Sequence, residues 1–306
     1  MYVKHISVIS KIADTNGREK SGMFKTATLI ICILISMAVN AEQLKFGIAS
    51  IVSPEESLNL YRELNDYLAG KLNKTITPVI KRDYDEMNRM ITENEVDFAS
   101  VCTGALPYLN NSRIRVLAVP EMNGKHSYQS FIIANTAYGI NSVRDLKGKT
   151  FAFTDRLSNS GTLYPSFLTI RTFNQAPEKV YKKIYYTKSH DKSIYLVNKG
   201  VVQAAAVDSL IFEIIRKKDP QAVKNIRVIH KSPEMISPPF VAASGMNSAT
   251  YDSLKYLMLN MHKDPKGAEI LKKLHVDRFV NANVSDYKVI SDMKAEIDRF
   301  YSGSKQ

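Results

Sequence analysis

Short β-branched or apolar runs alternate with amphipathic segments along most of this chain, and that alternation restricts it to the α/β class. Residues 44–49 read as a first strand. Residues 55–72 follow as a helix, with Leu60, Leu64, Tyr67 and Leu68 at helical spacing on one face and Glu and Lys elsewhere. Residues 76–81 read as a strand, Asp83-Tyr84-Asp85-Glu86 opens a short acidic-capped helix, and 96–101 is a buried strand. Further strands are expected at 130–135, 150–154, 201–207 and 240–243, with helices at 142–146, 163–173 and 189–199 and a mainly helical remainder from Ser248.

The start of the chain points to export. Met23-Phe24-Lys25, an apolar stretch over 27–39 and Val39-Asn40-Ala41 have the layout of a signal peptide cleaved after Ala41, and thirteen apolar-dominated residues fall short of the ~20 that span a bilayer. Residues 1–22 read as an over-long frame. Cys32 lies in the apolar stretch, so the mature chain is expected to keep Cys102 alone, with neither an intramolecular disulfide nor a lipid anchor. The 265 residues that remain suffice for one large or two medium domains. The whole sequence carries a net charge of +12, and the mature part +9 once the presequence's net +3 is removed. A basic surface suits an anionic ligand. The lysines are dispersed and no aromatic-interleaved recognition motif occurs, so nucleic acid is not an expected partner.

Between the strand at 150–154 and the helix at 163–173 runs Asp155-Arg156-Leu157-Ser158-Asn159-Ser160-Gly161-Thr162. Small hydroxyl residues and a glycine at a helix start offer outward N–H groups, hydroxyls and the positive end of the helix dipole, which together suit a tetrahedral oxyanion. The same residue types also serve as plain N-caps.

Several short pieces, in order, resemble the phosphonate, phosphite and phosphate binding proteins of bacterial ABC transporters (PhnD-like). They are 44–48, Asp83-Tyr84, Val96-Asp97-Phe98-Ala99, Ser127-Tyr128-Gln129-Ser130, 145–149, the 155–161 run, Ser189-His190-Asp191 and Lys231-Ser232-Pro233. The resemblance covers nearly all of the mature chain. It implies a two-lobed type II periplasmic binding-protein fold, an α/β architecture with the ligand cleft between lobes joined by two crossover strands. Lobe one would be 44–125 plus 245–306 and lobe two 126–243, with crossovers near 126–129 and 241–245. It further implies a periplasmic monomer that needs no cofactor or metal and meets a small oxyanion and an ABC permease.

The ligand set implied by the resemblance is Ser158, Asn159, Ser160 and the backbone at Gly161 and Thr162, joined by Tyr128 and by His190, which would add charge when protonated. Asn159 stands where family members commonly have Ser or Thr. Leu210 and Pro238 stand at the positions aligned with the carboxylates that hold an amino group in 2-aminoethylphosphonate binders, so a ligand without an amine is expected. Cys102-Thr103-Gly104 should sit at the cleft rim. Cys102 is read as a small buried hydrophobe or as a thiol for arsenite in a branch that signals to a histidine kinase, and Thr103 as a hydroxyl that could touch the oxyanion.

Catalysis finds little footing. Ser189-His190-Asp191 has the letters of a triad, but adjacent residues cannot align nucleophile, base and orienter. Gly148-Lys149-Thr150 resembles a P-loop fragment, yet Val143 stands where the glycine is required, and no His-Glu-x-x-His metal motif occurs.

Overall fold

The computed structural model describes residues 43–50, 54–109 and 111–303; the expected signal peptide, its cleavage point and Cys32 lie outside them. Two sheets organise the described chain. The first contains β1 (Gln43–Ala49), β2 (Thr75–Lys81), β3 (Phe98–Ser100), β4 (Ile114–Glu121), β12 (Phe240–Ala243) and β13 (Arg278–Val280), in the order β13-β4-β12-β3-β1-β2. The second contains β6 (Ser130–Asn135), β7 (Thr150–Phe153), β8 (Lys183–Tyr186), β9 (Ala204–Asp208) and β10 (Ile226–Lys231), in the order β10-β6-β9-β7-β8. β1 pairs in parallel with β2 and β3, and β7 with β8 and β9, whereas β12 and β6 run antiparallel to their neighbours.

Helices cover the faces. Helix α1 (Pro54–Leu72) sends Leu64, Tyr67 and Leu68 against Leu44, Phe46 and Ile48, as its spacing predicts. Phe46 and Phe98 stack at 4.7 Å in the middle of this core. Helix α2 (Tyr84–Thr92) starts at Asp83, whose side chain accepts the N–H groups of Asp85 and Glu86. The second sheet carries α3 (Tyr164–Phe173), α4 (Pro177–Val180), α5 (His190–Asn198) and α6 (Ser209–Lys218). Helices α7 (Ser248–Asn260), α8 (Pro265–Lys273) and α9 (Lys288–Gly303) complete the chain after β12. No helix among the described residues is long and apolar enough to cross a membrane.

Between the sheets lies a ribbon of two short antiparallel strands, β5 (Ser127–Tyr128) and β11 (Met235–Ile236), with Tyr128 opposite Met235. Here the expected boundaries need correction. Residues 241–243 are not a crossover: Val241 and Ala242 pair with β3 and β4 inside the first sheet, so the second connection runs over 232–239, ahead of β12. The strand expected at 201–207 starts only at Ala204, because Gly200 takes a left-handed φ of 71° and the chain bends before it can pair. The strand expected over 96–101 is trimmed to three paired residues.

Phe98 is fully buried. Phe98→Ala is expected to lower the unfolding free energy by about 3–5 kcal/mol, read from the denaturant midpoint at unchanged slope.

Candidate functional site

The 155–162 run closes β7 and opens a wide helical turn, Asn159–Leu163, which continues into α3. Ser158 is its N-cap, and its Oγ accepts the N–H of Gly161 at 3.1 Å. The N–H groups of Thr162 and Leu163 go to the Ser158 carbonyl, and the Thr162 hydroxyl donates to the Asp155 carbonyl at 2.7 Å. The turn therefore spends the Gly161 and Thr162 N–H groups and the Thr162 hydroxyl on itself, which corrects the expectation that these groups face a ligand. The Ser158 hydroxyl keeps its own proton to donate. Ser130 fixes the Ser160 carbonyl at 2.6 Å, whereas the Ser160 N–H is not spent within the turn. Gly161 is required by close approach: a Cβ there would overlap the Thr154 side chain.

Tyr128 joins three parts of the molecule. Its hydroxyl lies 2.5 Å from Thr103 Oγ1 of the first lobe and accepts from Asn159 Nδ2 of the second at 2.9 Å, while Tyr128 itself sits on the ribbon. Asn159 also reaches Met235 Sδ at 3.3 Å, on the opposing ribbon strand. Thr103 and Asn159 are wholly buried, so the expected rim position of Cys102-Thr103-Gly104 becomes an interior one. Cys102 is 5 % exposed; burial pushes its thiol up to about 11, against hydrogen bonds from the N–H groups of Asn159 and Gly104. A thiol of that kind stays protonated at neutral pH and is a poor metalloid ligand. The buried-hydrophobe reading of Cys102 fits this geometry, and the arsenite-sensing one gains no support from it.

The lobes meet closely here. A Cβ on Gly104 would overlap the Asn159 N and the Leu157 carbonyl O across the cleft. Lys188, held at a left-handed φ of 62°, bridges Asp83 of the first lobe at 2.8 Å and Asp155 of the second at 3.1 Å. Burial works against the Lys188 charge, but the two carboxylates outweigh it and its pKa is raised, while the Lys188 hydrogen bond holds Asp83 below the usual carboxylate range.

His190 opens α5 at 1 % exposure, and its Nδ1 accepts the backbone N–H of Asp208 at 3.0 Å. Burial lowers its pKa to about 3. The ring is therefore neutral, and the bond at Nδ1 places its proton on Nε2. His190 is a hydrogen-bond donor without charge, contrary to the expectation that it adds a positive one. Asp208 ends β9 and caps α6 through the N–H groups of Leu210 and Ile211; burial raises its carboxyl to about 7 despite those two bonds.

Sequence reasoning missed Lys188 and Tyr84 as members of this site and saw Asp208 only as a neighbour of Leu210 that could supply an acid. Tyr84 begins α2 in the same buried cluster as Cys102 and Tyr128, and burial, with Cys102, Asp155, Asp208 and Tyr128 adding, keeps its hydroxyl well above its ordinary pKa. The Asp83 cap was legible and marked Tyr84 as a helix start; nothing local marked its side chain as inward. Among the described residues no cluster of His, Cys, Asp and Glu has metal-binding geometry.

Comparison with known proteins assigns the family. Residues 46–287 match the family described as ABC transporter, phosphonate, periplasmic substrate-binding protein. The chain belongs to that family. Among its relatives, a probable phosphite-binding protein of an ABC transporter from Prochlorococcus marinus is 26 % identical over 187 residues. That match spans 56 % of this chain and 62 % of the relative, less than two thirds of its length. The phosphonates-binding periplasmic protein of Escherichia coli is 24 % identical over 268 residues, covering 85 % of this chain and 79 % of the relative.

Solved structures share the type II periplasmic binding-protein fold. A binding component of a phosphonate transporter from Pseudomonas aeruginosa superposes with a TM-score of 0.79 at 20 % identity, over 85 % of this chain and 88 % of that one. The Prochlorococcus protein in complex with methylphosphonate gives 0.76 at 21 %, over 85 % and 99 %.

Two outcomes are expected of this family member. Gly104→Ala, whose methyl group would overlap the backbone of Leu157 and Asn159, should keep the parent's far-ultraviolet spectrum yet lose ligand-induced closure by small-angle scattering. The second concerns pH. Between about 3 and 6.5 the unfolded chain holds the His190 proton that the folded one lacks, so stability rises with pH; between about 4 and 7 the folded chain holds the Asp208 proton, so stability falls. The two slopes oppose each other over the shared window. In Asp208→Asn only the rising slope remains, and the thermal midpoint should climb from about pH 4 to 6.5 more steeply than in the parent.

Proposed function

We propose that this protein is an exported, monomeric solute-binding component that captures a tetrahedral phosphorus oxyanion between its lobes and delivers it to an ABC permease. Phosphate, phosphite and simple amine-free phosphonates are the leading ligands. The mature chain would begin after Ala41, and no cofactor or metal takes part.

One observation carries the reading. The Ser160 N–H, the hydroxyls of Ser158, Ser160 and Tyr84, whichever of the Thr103 and Tyr128 hydroxyls does not donate to the other, and His190 Nε2 are donors carried on elements of both lobes. Charge-assisted hydrogen bonds contribute about 1.5–3 kcal/mol each, so five or six exceed the cost of association and reach the ~8 kcal/mol of micromolar binding. The Asn159 amide takes the place of a hydroxyl, ties the turn to Tyr128 and leaves its Oδ1 without a partner among the described residues. Gly161 and Thr162 shape the turn, and Cys102 forms its wall. Leu210 and Pro238 supply no charge for an amino group.

Capture would work by rotation of the lobes about the β5/β11 ribbon and the 232–239 connection, with the Lys188 bridge to Asp83 holding the closed state. The cleft suits binding and release.

The test is a thermal-shift and calorimetric panel of phosphate, phosphite, methylphosphonate, 2-aminoethylphosphonate, sulfate, arsenate and arsenite. A ligand at a hundred times its dissociation constant adds ~2.7 kcal/mol and raises the midpoint. A phosphorus oxyanion should give the largest rise, and Ser160→Ala and His190→Ala should each weaken it at least tenfold, a loss of about 1.4 kcal/mol. Equal binding by both variants, or silence across the panel, would overturn the reading.

A further inference from the structure

Beside Asp208, whose backbone N–H bonds His190, lies a recess that the donor side chains of the oxyanion centre do not line. It is a cavity of about 90 Å³ between the strand ends of the first sheet and α6, walled by Leu210, Ile214, Pro238, Phe240 and Phe279, with Asp208 at its edge. Its few polar neighbours are Tyr61, Ser100 and Asp208. Ser100 bonds the buried Tyr61 hydroxyl, and Asp208 Oδ1 takes the N–H groups of Leu210 and Ile211. What remains facing inward is aliphatic and aromatic.

The recess also adjoins the way in. Leu210 and Ile214 line both the cavity and an outer polar groove of about 590 Å³ that Tyr128 borders. Two of the three acids of that groove are paired: Glu213 with Arg216 at 2.8 Å, and Glu234 with Lys125 and Ser127; the third, Asp277, lies on the groove's wall and accepts the Gly124 N–H. Asp208 Oδ1 is committed to the α6 cap, and burial, which raises its carboxyl to about 7, disfavours the ionised form that an ammonium group would need.

We propose that this cavity is a subsite for the carbon substituent of the ligand, so that the protein selects short unbranched alkylphosphonates of three or four carbons over inorganic oxyanions and over amino-substituted phosphonates. This rests on the oxyanion reading given above. Size sets the chain length. A dry apolar cavity of ~150 Å³ takes benzene with its six carbons, so one of about 90 Å³ takes three or four. Apolar burial sets the preference, at roughly a fourfold gain in affinity for each methylene that leaves water.

Calorimetric titration of the unmodified protein with phosphite and with methyl-, ethyl-, propyl-, butyl-, phenyl- and 2-aminoethylphosphonate tests it. Propylphosphonate and 2-aminoethylphosphonate have nearly the same shape, so they compare methyl with ammonium at one place. Affinity should climb about fourfold per carbon from methyl to propyl and fall for phenyl, and propyl should exceed 2-aminoethyl at least tenfold. Ile214→Phe, which fills the recess, should flatten the series. A flat or falling series with methylphosphonate still bound, or tighter binding of 2-aminoethyl than of propyl, would overturn the subsite and leave the oxyanion site standing. Failure of every phosphorus oxyanion to bind would overturn both.

Discussion

The Tyr128 hydroxyl is the junction on which the arrangement of this molecule depends. Thr103 comes from the end of the first sheet, Asn159 from the turn that opens α3, and Tyr128 from the ribbon, and one oxygen links them. All three side chains are buried, and the Tyr128 oxygen is paired with both of the others, while Asn159 Oδ1 has no partner among the described residues. The small residues around it permit this close approach. Gly104 lets the first lobe reach the Asn159 backbone, and Gly161 lets the turn fold back on Thr154. A side chain in either place would hold the lobes apart or open the turn.

Around this junction the protein has assembled donors without assembling charge. His190 is kept neutral by burial, the Cys102 thiol and the Tyr84 and Tyr128 hydroxyls are kept protonated by the same cause, and Lys188 is committed to Asp83 and Asp155. A centre of neutral dipoles recognises an anion by the number and direction of its hydrogen bonds, and it releases the anion when the lobes separate and those directions are lost. Among the described residues, Asp208 is the carboxyl that burial raises to about 7. It links the donor side, through its N–H to His190, with the apolar recess beside it.

Much of this was legible in the chain, for physical reasons that differ by element. The period-3.6 pattern of α1, the Asp83 cap of α2 and the apolar runs of β6 and β12 were read within a residue or two, because burial on one or both faces leaves a strong local signature. β10 was not: it is an edge strand whose Arg227, His230 and Lys231 interrupt the apolar pattern, and it bulges between Val228 and His230. α6 was hidden because it follows β9 with no loop, its cap being the last residue of the strand. The candidate oxyanion turn was recognisable by composition, but not which of its groups are used up internally, since that depends on the wide turn placing two N–H groups on the Ser158 carbonyl. The charge state of His190 and the part played by Asp208 follow from tertiary burial and leave no mark on the neighbouring sequence.

The most direct measurement is a crystal structure of the protein grown with methylphosphonate. The account predicts the phosphonate oxygens within hydrogen-bond distance of the Ser160 N–H, the Tyr128 hydroxyl and His190 Nε2, with the methyl group turned toward Leu210. A phosphonate bound in the outer groove, away from Ser160 and His190, would contradict it.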